Sequence, residues 1–132
     1  MTPAGHKQAQ ETGQFLKNYL EAIESKYKRA FDSIQIESSP FIRCKATAAR
    51  ISTELKRPQV KINYLYSEWL ADWIFQKCPM CSLEVRTREA KELDNVFDLQ
   101  GVEFEHNDEE GFQKSAKLWP ESKEAAIERL RE

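Results

Sequence analysis

Two short alternating stretches, each following a helical pattern, constrain this chain most. Ser33-Ile34-Gln35-Ile36-Glu37-Ser38 places β-branched residues at every second position, and Val60, Ile62 and Tyr64 alternate with Lys61 and Asn63. Both read as strands. Ahead of the first, Ala9, Gly13, Leu16, Leu20 and Ile23 recur at spacings of four and three. This is one face of a helix that starts at Thr2-Pro3, runs to about Glu24 and leaves through a charged exit at 25–29. Between the strands the helical period returns from Phe41 to Leu55, with Cys44, Ala48, Ile51 and Leu55 as its apolar row. Pro40 stops the first strand, and Pro58 forbids continuation of the second helix. Helix, strand, helix, strand is the order of an α/β layer fold with parallel strands. Parallel sheets are covered on both faces, so their central strands are near-continuous apolar runs. Neither strand here is such a run. The pattern predicts an α/β domain, residues 1–132, whose central strands lie outside these residues.

Further along, residues 67–76 are apolar and aromatic, with Trp69, Leu70, Trp73, Ile74 and Phe75. They read as a short helix or a loop packed over a pocket, and as core more readily than as a partner-binding patch. Cys78-Pro79-Met80-Cys81 reads as a turn, 86–95 as a charged helix, and 101–111 as an acidic loop. Trp119-Pro120-Glu121-Ser122 opens a last helix with Ala126, Ile127 and Leu130 as its inner face.

Composition narrows the function classes. Twenty basic and 22 acidic residues leave a net charge of −2. Binding to nucleic acid or an anionic membrane through bulk charge is therefore not expected. No apolar run approaches the roughly 20 residues that span a bilayer. The polar N-terminus does not resemble a secretion signal, and three cysteines cannot all pair within the chain. Reduced thiols in an intracellular, cytoplasm-like compartment are the expectation.

Chemistry concentrates where the first strand meets the second helix. Ligands of open α/β sheets bind at the carboxyl ends of strands, and a helix N-terminus offers unpaired N–H groups and a positive dipole end. Arg43 brings to that point a planar fork suited to phosphate. Taken alone, Arg43 reads more readily as an exposed arginine in a first helical turn. Cys44 and Arg50 have the C-x5-R spacing of cysteine-dependent phosphatases, but the residues between them lack glycine and favour helix. Cys44 therefore reads as a small hydrophobe. Cys78 and Cys81 have metal-ligand spacing, but a structural zinc needs about four ligands, so no metal and no cofactor are expected.

Longer matches surround Arg43. Thr2-Pro3-Ala4-Gly5-His6-Lys7-Gln8-Ala9, with Gly13 and Leu16, resembles the L-T-x-x-G-x-x-Q-A-x-x-x-G-x-x-L stretch of the histidine phosphatase superfamily, the phosphoglycerate-mutase-like proteins. Ser38-Ser39-Pro40-Phe41-Ile42-Arg43-Cys44-Lys45-Ala46-Thr47-Ala48 resembles that family's S-S-P-x-x-R-C-x-Q-T-A block, with Ala46 where the family usually has Gln. Leu65-Tyr66-Ser67-Glu68-Trp69 is similar to its L-x-E-W block, and Pro120-Glu121-Ser122 to its later P-E-S.

The resemblance implies a doubly wound sheet with flanking helices, of which this chain holds part, and phosphoryl chemistry through a phosphohistidine. It implies that Arg43 clamps phosphate, with Ser38 beside it, and that Glu68 is a candidate proton donor. The family's nucleophilic His lies in an R-H-G motif and its second His in a later H-G motif. The chain's two histidines fit neither: His6 is not followed by Gly, and His106 lies in the acidic stretch. As it stands the chain is expected to be inactive, with a residual phosphate-binding Arg and a structural or interaction role. The alternative is that it is part of an active phosphohistidine-dependent phosphomonoesterase or mutase. Expected partners are phosphate or a phosphorylated ligand, and a protein partner or second chain that completes the sheet. Expressed alone, the chain is expected to be poorly soluble or to associate, because an incomplete sheet exposes unpaired edges.

Overall fold

The computed structural model describes residues 2–81, 101–106 and 109–131. Helix α1 spans Pro3–Tyr27 and helix α2 Ile42–Leu55; α3 spans Glu109–Lys117 and α4 Lys123–Arg129. Strands β1 (Glu37–Ser38), β2 (Gln59–Ile62) and β3 (Glu103–Glu105) form one parallel sheet in the order β1-β2-β3. The chain is mixed α/β. No helix among the described residues is long and apolar enough to cross a membrane.

The helix starts follow from local chemistry. Thr2 caps α1, its hydroxyl accepting from the Gly5 N–H at 3.1 Å, and Pro3 occupies the first turn without wasting a donor. The apolar row of α1 packs on α2, where Ala9 and Gly13 are buried. A Cβ built on Gly13 would lie 2.8 Å from Glu54 Cβ and 3.1 Å from Ile51 Cα, so the close approach of the two helices depends on that glycine. Gly13→Ala gains up to about 1 kcal/mol of helix propensity, but overpacking costs about 1–3 kcal/mol. The expected net result is a lower melting temperature by calorimetry; an unchanged or raised value would show that the helices part without cost.

Several expectations are corrected. The strand over 33–38 shortens to Glu37–Ser38, because only residues 36–38 meet β2: Ile36 O accepts from Lys61 N and Ser38 O from Asn63 N, both at 2.9 Å. The 101–111 stretch is not a loop throughout. Val102 and Phe104 are buried, Glu103–Glu105 pairs with β2, and α3 begins at Glu109. Residues 67–76 form no helix. Leu70 and Ala71 go to the core, whereas Trp73 is 72% exposed, so the aromatic cluster is split between core and surface. The inner face of α4 is Ala126 and Arg129, with Ile127 and Leu130 exposed, because Arg129 turns inward to meet Glu121. Helix α2 is rotated from its expected setting: Lys45, Ala49 and Ser52 are buried, whereas Cys44, Ile51 and Leu55 are half-buried. The turn at Cys78-Pro79-Met80-Cys81 holds, with a 3₁₀ turn at Pro79–Cys81. The expected helix over 86–95 lies outside the described residues.

The core joins Val60 and Ile62 of β2, Phe104 of β3 and Ala46, Ala48 and Ala49 of α2 to Tyr64, Leu70 and Met80. Small residues on α2 let the helix lie close to the sheet. Strand β1, at the sheet's edge, carries the segment that leads into the site.

Candidate functional site

Ser38, Ser39 and Pro40 connect β1 to the first turn of α2. The N-cap position of α2 is Phe41, which is extended and supplies no side-chain bond. A helix start without such a bond leaves N–H groups for an outside acceptor, at the positive end of the helix dipole. The Arg43 side chain emerges from this turn, 5.5 Å above the Phe41 ring, and Phe41 in turn stacks on Phe75 at 5.8 Å. The guanidinium is thus seated on an aromatic face.

A cleft of about 570 Å³ opens beside Arg43. Ser38, Ser39 and Arg43 line its polar end, and Cys44, Ala48 and Ile51 its apolar wall. Three of the four residues in the apolar row expected to bury α2 therefore line this cleft, Leu55 being the exception. Ser38 is buried and its hydroxyl donates to Ser39 O at 2.9 Å. The Ser39 hydroxyl oxygen is buried with no hydrogen-bond partner. An orphaned polar atom of this kind is uncommon in folded proteins. Glu37 also lines the cleft, but its carboxylate accepts from Asn63 Nδ2 at 3.0 Å and lies 4.0 Å from Lys61 Nζ.

The structure brings Glu68 to Arg43: its Oε1 accepts from an Arg43 terminal nitrogen. The two side chains are about half exposed, 56% and 47%, so the pair contributes at most about 1 kcal/mol to stability. It is weak enough to be shared with an incoming anion. The three residues singled out from the sequence, Ser38, Arg43 and Glu68, thus fall in one neighbourhood, Glu68 reaching it through Arg43.

The histidines lie elsewhere. His6 Nδ1 is 3.4 Å from Arg50 Nε, and His106 Nδ1 is 2.7 Å from the Tyr64 hydroxyl. Neither lines the cleft. Arg50, the arginine of the C-x5-R spacing, faces His6, and Cys44 to Arg50 is continuous helix. The backbone N–H groups of that stretch are committed to the helix and do not converge on one point. No group of three or more metal-ligating side chains occurs among the described residues.

Sequence reasoning missed Ser39, Glu121 and Arg129. Ser39 had a signal, as the second serine before Pro40. Glu121 had one as the middle residue of the Pro120-Glu121-Ser122 match, and Arg129 had none. Their pair is buried: Arg129 Nε donates to Glu121 Oε1 at 2.9 Å and Nη2 to Oε2 at 3.0 Å. Burial pushes the Glu121 carboxyl up, but the bonds from Arg129 and the Leu70 N–H, with the arginine charge, outweigh it and hold its pKa below the usual glutamate value.

No protein-family model, curated protein or solved structure matches the chain.

Proposed function

We propose that the cleft at the start of α2 is a phosphate-monoester site of the histidine-phosphatase type. The observation that carries this reading is Arg43 lining the cleft at a helix start with no side-chain cap. Arg43 supplies a planar fork, and α2 its dipole end and first-turn N–H groups. Glu68, paired with Arg43, has the place of the family's proton donor, a role with nothing to protonate unless a nucleophile is supplied. The site has no histidine among its residues, so they hold a phosphate group without transferring it, and the role is binding or structural.

A second reading rests on the sheet. Strand β1 lies at its edge, and Ile36, Ala48 and Ile51 line the cleft next to it. A further strand, from a longer protein or a second chain, would pair with that edge and bring a nucleophile to Arg43. The site would then belong to an active phosphomonoesterase or mutase.

Titration with inorganic phosphate and with orthovanadate tests the binding site. Saturable binding is expected, weakened at least tenfold in Arg43→Ala, since a charge-assisted hydrogen bond contributes about 1.5–3 kcal/mol. Unchanged affinity in Arg43→Ala rejects the site. No turnover of an aryl phosphate by this chain is expected; turnover abolished by Cys44→Ser would replace this mechanism with a cysteine one.

A further inference from the structure

From the network around Arg129 we infer that the buried Arg129–Glu121 pair is a positioning device that holds Glu68 against Arg43; the inference rests on the site proposed above. One guanidinium gathers most of the chain turn that carries Glu68. Arg129 Nη1 donates to Leu65 O at 2.5 Å and to Ser67 O at 3.0 Å, and Nη2 to Glu68 O at 3.2 Å. Glu121 holds the next residues. Its Oε2 accepts from Leu70 N at 3.0 Å, its carbonyl from Trp69 Nε1 at 2.7 Å, and its own N–H donates to Leu70 O at 2.9 Å.

Residues 65–70 form no α-helix or strand, and only 64–66 make a 3₁₀ turn. Secondary structure does not fix the Glu68 backbone; the Arg129 fork and the Glu121 carboxylate do. Both side chains of the pair are essentially solvent-free, 1% and 0% exposed, whereas the Arg43–Glu68 pair they serve is half exposed. A rigid buried pair thus anchors a soft surface pair. The consequence is a competition: Glu68, held in place, occupies part of the Arg43 fork that a phosphate would use. Anything that releases the 65–70 turn frees Arg43.

The test uses the full chain labelled with ¹⁵N-arginine. In the wild type, the Arg43 guanidinium signals should show hindered rotation. That hindrance should vanish in Glu68→Gln and equally in Arg129→Lys, which keeps a charge but cannot reach three carbonyls and a carboxylate at once. Inorganic phosphate should bind about 1.4- to fivefold more tightly in each variant, the range set by a surface ion pair of 0.2–1 kcal/mol. The double variant should show no further gain, because both changes release the same fork.

A folded Arg129→Lys chain with unaltered Arg43 signals overturns the inference. If Arg129→Lys does not fold, Glu121→Gln is the second variant. Unaltered Arg43 signals there, or failure of that chain also to fold, assigns the pair to the core alone and overturns the inference too. Phosphate binding to none of these chains, with the Arg43 signals responding as expected, removes the phosphate site and leaves the positioning role standing.

Discussion

Arg129→Ala lowers the stability of the chain by about 3–5 kcal/mol, the usual cost of removing one partner of a buried ion pair. Glu121 is left buried without its cation, and the carbonyls of Leu65, Ser67 and Glu68 lose their donor. The pH dependence separates this from simple loss of packing. In the wild type the Glu121 carboxyl is held below its ordinary value of 4.5. The stability this confers is complete above that pH and is lost as the pH falls through the lower, folded-state value. In Arg129→Ala burial, which pushes the carboxyl up and is the largest influence, is opposed only by the Leu70 N–H bond, so protonation relieves the variant. The two denaturation midpoints should therefore converge as the pH is lowered from 7 toward 4. A gap that stays constant over that range would mean that the lost energy is packing and not charge.

Lys45 is expected to make the stability of the chain rise with pH above about 8, and Lys45→Met to remove that rise. Lys45 is fully buried on α2, its ammonium 5.6 Å from the centre of the Phe104 ring. Burial lowers its pKa from 10.5 to about 8. Below pH 8 both folded and unfolded chains are protonated, and burial makes the charged form costly in the folded chain. Between 8 and 10.5 the unfolded chain binds more protons, so stability rises with pH by up to about 3 kcal/mol. Met fills a similar volume with no charge. It removes the titrating group. Measured by urea denaturation, the wild type should gain up to about 3 kcal/mol on the variant between pH 8 and 10.5. Parallel curves would contradict the assignment of the cost to Lys45.

These two residues also show where the sequence was opaque. Helices α1 and α2 were legible because Thr2-Pro3 and Pro58 mark their limits and their apolar residues keep a helical period. The β2 strand was legible through Val60 and Ile62. What failed was the assumption that charge means solvent. Arg129 and Lys45 occupy positions that a hydropathy reading gives to the surface, and both are buried. Arg129 displaces Ile127 and Leu130 outward, and Lys45 shares the buried face of α2 with Ser52. Strand β3 was hidden the same way: Val102 and Phe104 alternate with Glu103 and Glu105, but the acidic setting masked the alternation. At the site, Arg43 and Glu68 stood out through their motif blocks. Their meeting depends on Glu121 and Arg129, more than 50 residues away from the turn they hold, a distance no local pattern spans.

The proposal of a phosphate site is tested most directly by titrating the ¹⁵N-labelled chain with inorganic phosphate and following backbone amides. The account predicts saturable shifts confined to Ser39 and the first turn of α2, with Ile42 and Arg43 moving most, and their disappearance in Arg43→Ala. Amides that do not move, or that move equally in Arg43→Ala, would contradict it.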